Sequence, residues 1–252
     1  MDFEGTNIRK NSTFKSFIVG ESNRVAYRAA LYCANNFPKK ADWLWIYSYT
    51  GLGNTHLMNA IGNELFESQQ NLNIKQIHIE CFVNEVMESR IKGEISLLIK
   101  DYCDLDCLLL DGMTMYLSGM SNGVAVSVDY LYNILLALRD RDKLVVFTAD
   151  KAWHELSLSK MNRLFSLSNC KVVSITRPDL ALKKELVKHF SFQRGFNFED
   201  EIMTFIASQE ALNIREIEAI MNRIFYEAKF SKKKLTLSFV KAFYLRWPQM
   251  ID

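Results

Sequence analysis

Apolar and polar positions follow two different periods along this chain. Trp43-Leu44-Trp45-Ile46-Tyr47 is a short apolar run ending at a glycine-containing turn, and His56, Leu57, Ala60, Ile61 and Leu65 then recur at helical spacings. Gln76 to Cys81 alternates as a strand does, and the stretch from about Phe82 to Tyr102 is helix-rich. Cys107-Leu108-Leu109-Leu110-Asp111 is apolar enough for a strand covered on both faces. Val128, Leu131, Leu135 and Leu138 share one helical stripe, and Leu144 to Thr148 and Val172 to Ile175 are further strands. Strand and helix in this rhythm predict an α/β fold, a five-stranded parallel sheet between helices.

After Pro178 only the helical period remains. Leu180 to Phe190, Asp200 to Ser208, Asn213 to Lys229 and Ser238 to Arg246 are predicted helices, with the clearest stripe through Ile214, Ile217, Met221 and Ile224. The pattern divides the chain into an N-terminal tail (1–12), an α/β domain (13–176) and a small all-helical domain (177–252).

Composition narrows the function classes. The 252 residues are 49% hydrophobic and 24% charged, enough for a large core and unlike a disordered chain. Thirty-one basic against 29 acidic residues leave a net charge of +2, which excludes a polycation that coats duplex DNA. The five cysteines are odd in number and lie in apolar segments; with no secretory signal they read as free thiols of a cytoplasmic protein. Cys103 and Cys107 have no second Cys or His pair nearby to complete a zinc site. No apolar run reaches the roughly 18 residues that cross a bilayer, so no membrane role is expected.

The turn after the first strand carries the most chemistry. Ser48 to Thr55 has the place and length of a phosphate-binding loop, G-x-x-x-x-G-K-[ST]. In such a loop glycines let backbone N–H groups curl round a phosphate, lysine neutralises the outer phosphates, and the Ser/Thr hydroxyl meets magnesium. Gly51, Gly53 and Thr55 fit; Ser48 replaces the first glycine and Asn54 the lysine. From these residues alone, an ordinary strand–helix turn is the competing reading.

Thr13 to Gly20, and Ile46-Tyr47 through Gly51-Leu52-Gly53-Asn54-Thr55-His56-Leu57 to Asn63-Glu64, closely resemble the AAA+ domain of the bacterial replication initiator DnaA, whose pattern is F-x-x-F-V-x-G and then I-Y-G-G-x-G-L-G-K-T-H-L-x-x-A-I-G-N. Phe82-Val83-Asn84-Glu85, Asp106 to Asp111, Thr148-Ala149-Asp150, Pro178-Asp179-Leu180 and Asn213 to Glu218 match in order. The resemblance implies an AAA+ P-loop domain followed by a helical lid. Asp111 matches the first Walker B acid, but the second, tied to hydrolysis, is Gly112. Asp150 matches the sensor-1 position, Arg215 the sensor-2 arginine, and Val19 the segment bordering adenine. The expected ligand is ADP or ATP, with magnesium on Thr55 and Asp111. From the residues alone, Asp111 also reads as a strand-end acid, and Arg215 as a surface arginine paired with Glu218 or Asp150. The arginine-finger position falls near Ser166, with Arg163 as the nearby candidate.

Asn54 and Gly112 together predict little or no ATP hydrolysis. The chain is expected to lack both the family's helicase-recruiting domain and its helix-turn-helix domain, leaving the outline of the Hda-type regulators, although Met1 to Ser12 contains no clamp-binding peptide. The resemblance implies contacts with DnaA or other initiation proteins, and a homo-oligomer is open. Leu117 to Gly123, where the family places basic residues for single-stranded DNA, has neither Lys nor Arg. The lysines around Lys229 to Lys234, with Lys241 and Arg246, read as a solvated turn in preference to a DNA contact.

Overall fold

A computed structural model describes residues 6–69, 71–113, 122–155, 165–166, 169–209 and 213–246. They form two compact units. The first comprises residues 1–17, 23–49 and 53–176; the second comprises 18–22, 50–52 and 177–252. The helical unit thus takes in two short segments that the sequence pattern assigns to the α/β domain. The cause is local: Gly20 lies so close to Leu182 that an added Cβ would come within 2.9 Å of that side chain, and the Gly51 carbonyl accepts the Ile214 N–H at 3.2 Å.

Among the described residues, the first unit holds a five-stranded parallel sheet: β1 (Leu44–Tyr47), β2 (Ile74–His78), β3 (Cys107–Asp111), β4 (Leu144–Ala149) and β5 (Lys171–Ser174). The spatial order is β2-β3-β4-β1-β5, so β1 lies between β4 and β5. Helices α1 (Arg24–Asn36), α2 (Asn54–Ser68), α3 (Ile79–Lys92), α4 (Ile95–Cys103) and α5 (Asn122–Asp140) belong to the same unit. In such open sheets ligands bind at the carboxyl ends of the strands where strand order reverses.

The core explains why the strands read as apolar runs. Trp43 and Trp45 are buried among Phe147 and Phe165, and each indole N–H has a carbonyl partner, Lys143 at 3.1 Å and Lys151 at 2.8 Å. Helix α2 is buried on much of its surface, including Asn59 and Asn63. Asn59 accepts the Arg9 N–H at 2.6 Å, while Asn63 donates to the carbonyls of Arg9 and Ser12 at 3.0 and 2.8 Å. His56 Nε2 meets the Thr13 carbonyl at 3.0 Å and the Phe17 ring edge-on. Gly62 admits Ile8 so closely that an added Cβ would come within 2.8 Å of it. The residues most specific to the resemblance therefore clamp the N-terminal segment onto α2.

One expectation is corrected. Ile79, Glu80 and Cys81 open α3 instead of extending β2, because the His78 ring caps the helix by accepting the Glu80 N–H through Nδ1. The helix-rich stretch from about Phe82 to Tyr102 is as expected and consists of two helices, separated at Gly93 in a left-handed conformation (φ +75°). Helix α1 carried no sequence expectation.

The second unit contains α6 (Leu180–Gln193), α7 (Asp200–Ala207), α8 (Ile214–Ser231) and α9 (Leu237–Arg246) around a core of Leu186, Ile206, Ile217, Met221, Ile224, Val240 and Phe243. Among the described residues, no helix is long and apolar enough to cross a membrane.

Candidate nucleotide site

The expected site residues fall into two groups, one in each unit. In the sheet unit, α2 starts on Gly53 at φ +109°, with the Phe17 ring 3.0 Å from where a Cβ would stand, so only glycine fits. The next residue, Asn54, turns its amide toward the end of β4. Its Nδ2 donates to the Ala149 carbonyl at 3.1 Å, an oxygen that also accepts the Ser48 N–H at 3.1 Å. Exchanging the amide's N and O would set oxygen against oxygen, so the network fixes its orientation. The remaining Oδ1 is buried with no hydrogen-bond partner among the described residues. An acceptor thus stands where a phosphate-binding loop carries an ammonium group, and phosphate oxygens are themselves acceptors.

The Thr55 hydroxyl donates to the Asp111 carboxylate, 3.0 Å to Oδ2. The Thr148 hydroxyl donates to Oδ1 of the same carboxylate and accepts the Gly112 N–H at 3.0 Å. Among the described residues no Lys or Arg pairs with Asp111. Hydroxyl and carboxylate oxygens side by side at the end of β3 fit a hard divalent cation such as magnesium.

The position after Asp111 does not fit the rest of a hydrolytic site. Gly112 has φ +81°, and a Cβ there would press against the outer edge of the His78 ring, nearest Nε2. His78 ends β2 directly opposite Asp111 in the sheet register. Backbone and neighbour together make any side chain at position 112 strained unless His78 moves. Asp150 is exposed, one residue beyond the end of β4.

In the helical unit, Gly51 (φ +83°) sits against the start of α8, where a Cβ would come within 2.8 Å of Asn213 Oδ1. Asn213 and Glu216 form a reciprocal capping box: the Glu216 N–H donates to Asn213 Oδ1 at 2.9 Å, and the Asn213 N–H donates to Glu216 Oε2 at 3.0 Å. Arg215 is exposed in the first turn, next to the Ile214 N–H that binds the Gly51 carbonyl. Glu216, not Arg215 or Glu218, is the charged residue committed to the cap. Val19 is 42% exposed in the short segment grouped with this unit. Arg163 lies outside the described residues, as do 117–121 of the segment from Leu117 to Gly123.

Sequence reasoning missed His78, Thr148 as a ligand of Asp111, and the Ala149 carbonyl as anchor for Asn54. A polar residue at or one before the end of each strand beside Asp111 was a readable signal for the first two. The third is a backbone atom, with no signature.

Comparison with known proteins agrees with this layout. The family profile described as the bacterial DnaA ATPase domain matches residues 8–170. The chromosomal replication initiator DnaA of Herminiimonas arsenicoxydans is 28% identical over 229 residues, covering 91% of this chain and 49% of the relative; the chain spans about half that protein's length. Domain III of the Thermotoga maritima initiator superposes with a TM-score of 0.83 at 25% identity, covering 93% of this chain and 96% of that one. The AMPPCP-bound DnaA of Aquifex aeolicus shares the fold with a TM-score of 0.76 at 24% identity, over 86% of this chain and 66% of that one. The fold is that of an AAA+ domain.

Proposed function

Because this chain belongs to the bacterial DnaA ATPase-domain family, we propose that it regulates or assists initiation of chromosomal replication through contacts with DnaA, and that it turns over little or no ATP. The observation that carries this reading is the pinned Asn54 amide. At an effective dielectric of about 20, a lysine ammonium about 4 Å from a phosphate charge is worth about 4 kcal/mol, and Asn54 supplies instead a neutral, unpartnered acceptor. The missing second acid at Gly112 removes a water-positioning group, a role typically worth about 10²- to 10⁴-fold in rate. Magnesium, when bound with a nucleotide, would neutralise phosphate charge, and Thr55 and Asp111 are the residues to hold it. The loop backbone and these two side chains support weak binding of ADP or ATP, and the family resemblance would add Arg215, Val19 and Asp150.

The test pairs two measurements: calorimetric titration with ADP and ATP, with and without magnesium, and co-sedimentation with full-length DnaA. Association with DnaA and weak or silent nucleotide titrations are expected. No association would remove the proposed partner. The converging oxygens of Thr55 and Asp111 favour one second reading, a working initiator or loader ATPase acting on DNA; turnover abolished by Asp111→Ala would select it.

A further inference from the structure

The helical unit holds a cavity of about 420 Å³ lined by Arg194, Lys229, Lys232 and Lys233 together with Phe196 and Tyr226. Its volume lies within the roughly 300–1,000 Å³ range of ligand sites. Helix α8 contributes Asn222, Tyr226 and Lys229, spaced so that they fall on one face of the helix, and Lys232 and Lys233 follow its end. Among the described residues no carboxylate pairs with Lys229, Lys232 or Lys233. These lysines cluster where α8 ends, and a helix terminus carries only about half a negative charge, so it absorbs a fraction of three cations. Lys232 adopts φ +52° at that terminus, a conformation usually given to glycine. Arg194 is held in place by the Phe190 carbonyl at 3.1 Å and by Asn222, with its guanidinium 5.6 Å from the Phe225 ring centre.

The aromatic side chains complete the picture. Phe196 stacks on Phe225 at 4.7 Å and remains 37% exposed, while Tyr226 and Phe230 stack at 6.4 Å and are 60% and 81% exposed. Flat rings left open to solvent among unpaired cations suit a chain of bases and phosphates. A helical peptide would instead need a continuous apolar slot. We propose that this face of the helical unit binds single-stranded nucleic acid, with phosphates at Arg194, Lys229, Lys232 and Lys233 and bases stacking on Phe196 and Tyr226. The proposal adds a role to the solvated lysine turn read from the sequence, because exposed rings lie among those lysines. The proposal stands whether or not ATP is hydrolysed.

The test is fluorescence anisotropy of a labelled oligothymidylate titrated with the full chain at several salt concentrations. Binding that weakens steeply with salt is expected. Lys229→Gln combined with Lys233→Gln should lower the log–log salt slope by about 1.4, at roughly 0.7 per phosphate contact. Tyr226→Ala should weaken binding about 5- to 150-fold at unchanged slope. All three side chains are exposed, and an unaltered circular dichroism spectrum would verify folding. The proposal is overturned by absence of binding at low salt or by binding that these variants leave unmoved. Equal affinity for duplex, or equal displacement by polyglutamate or by anionic phospholipid vesicles, would overturn it as well.

Discussion

The end of β3 and the start of α8 both match segments of the same family pattern, and they have fared differently. At α8, Asn213, Glu216 and the neighbouring Gly51 keep a closed set of hydrogen bonds that the helix needs for its unpaired N–H groups. At β3, Asp111 has Thr55 and Thr148 as partners, while by the resemblance Gly112 and Asn54 stand at positions of an acid and a lysine. The kept residues hold backbone in place. The replaced ones would have acted mainly on a ligand.

The largest effect that would sharpen this contrast comes from Asn54→Lys. Restoring the ammonium should tighten ADP and ATP by about 10- to 1,000-fold in calorimetry, up to the roughly 4 kcal/mol of one charge pair, without creating rapid turnover, because Gly112 remains. Rapid turnover in that variant would show that the second acid is dispensable. Gly112→Glu tests the other position. It should cost about 1–3 kcal/mol in urea denaturation, since the side chain meets φ +81° and the His78 ring. A fully stable variant would mean that the site accommodates an acid after all. Next in size, Asn213→Ala should cost about 1 kcal/mol by removing the cap of α8; no loss would mean that the capping box contributes nothing to the helical unit.

The smallest effect separates scaffold from site. Burial alone would push Asp42 upward, but hydrogen bonds and charge from Lys171 (2.7 Å) and Lys40 (3.1 Å) outweigh it and hold the carboxyl below its ordinary range. Its contribution is therefore present above the unfolded-state value, near about 3.9, and disappears as pH falls through the lower folded value. Asp42→Asn should cost about 1 kcal/mol or less at pH 7, with the deficit shrinking below about pH 4 in denaturation curves. A deficit that persists in acid would point to packing instead of charge.

Strands β1, β3 and β4 and the helices after Pro178 were legible because sheets buried on both faces and amphipathic helices leave strong periods. The end of β2 was not. Ile79 to Cys81 continue the strand's alternation, and the His78 cap on the Glu80 N–H, a local contact with no periodic signature, accompanies their turn into helix. The loop's composition was legible too, including its missing lysine. The direction of the Asn54 amide was hidden, because its partner is a main-chain carbonyl 95 residues away. The strain awaiting a side chain at Gly112 was equally hidden, since it depends on a ring from a neighbouring strand. The lysines near the end of α8 were visible as a charge run, but their exposed aromatic companions emerged only once α6 and α8 had folded together.

Phosphate release from radiolabelled ATP, measured for the purified chain beside its Asp111→Ala variant, bears most directly on the central claim. The account predicts background release, equal in the two proteins. Sustained release by the parent chain that the substitution abolishes would contradict it.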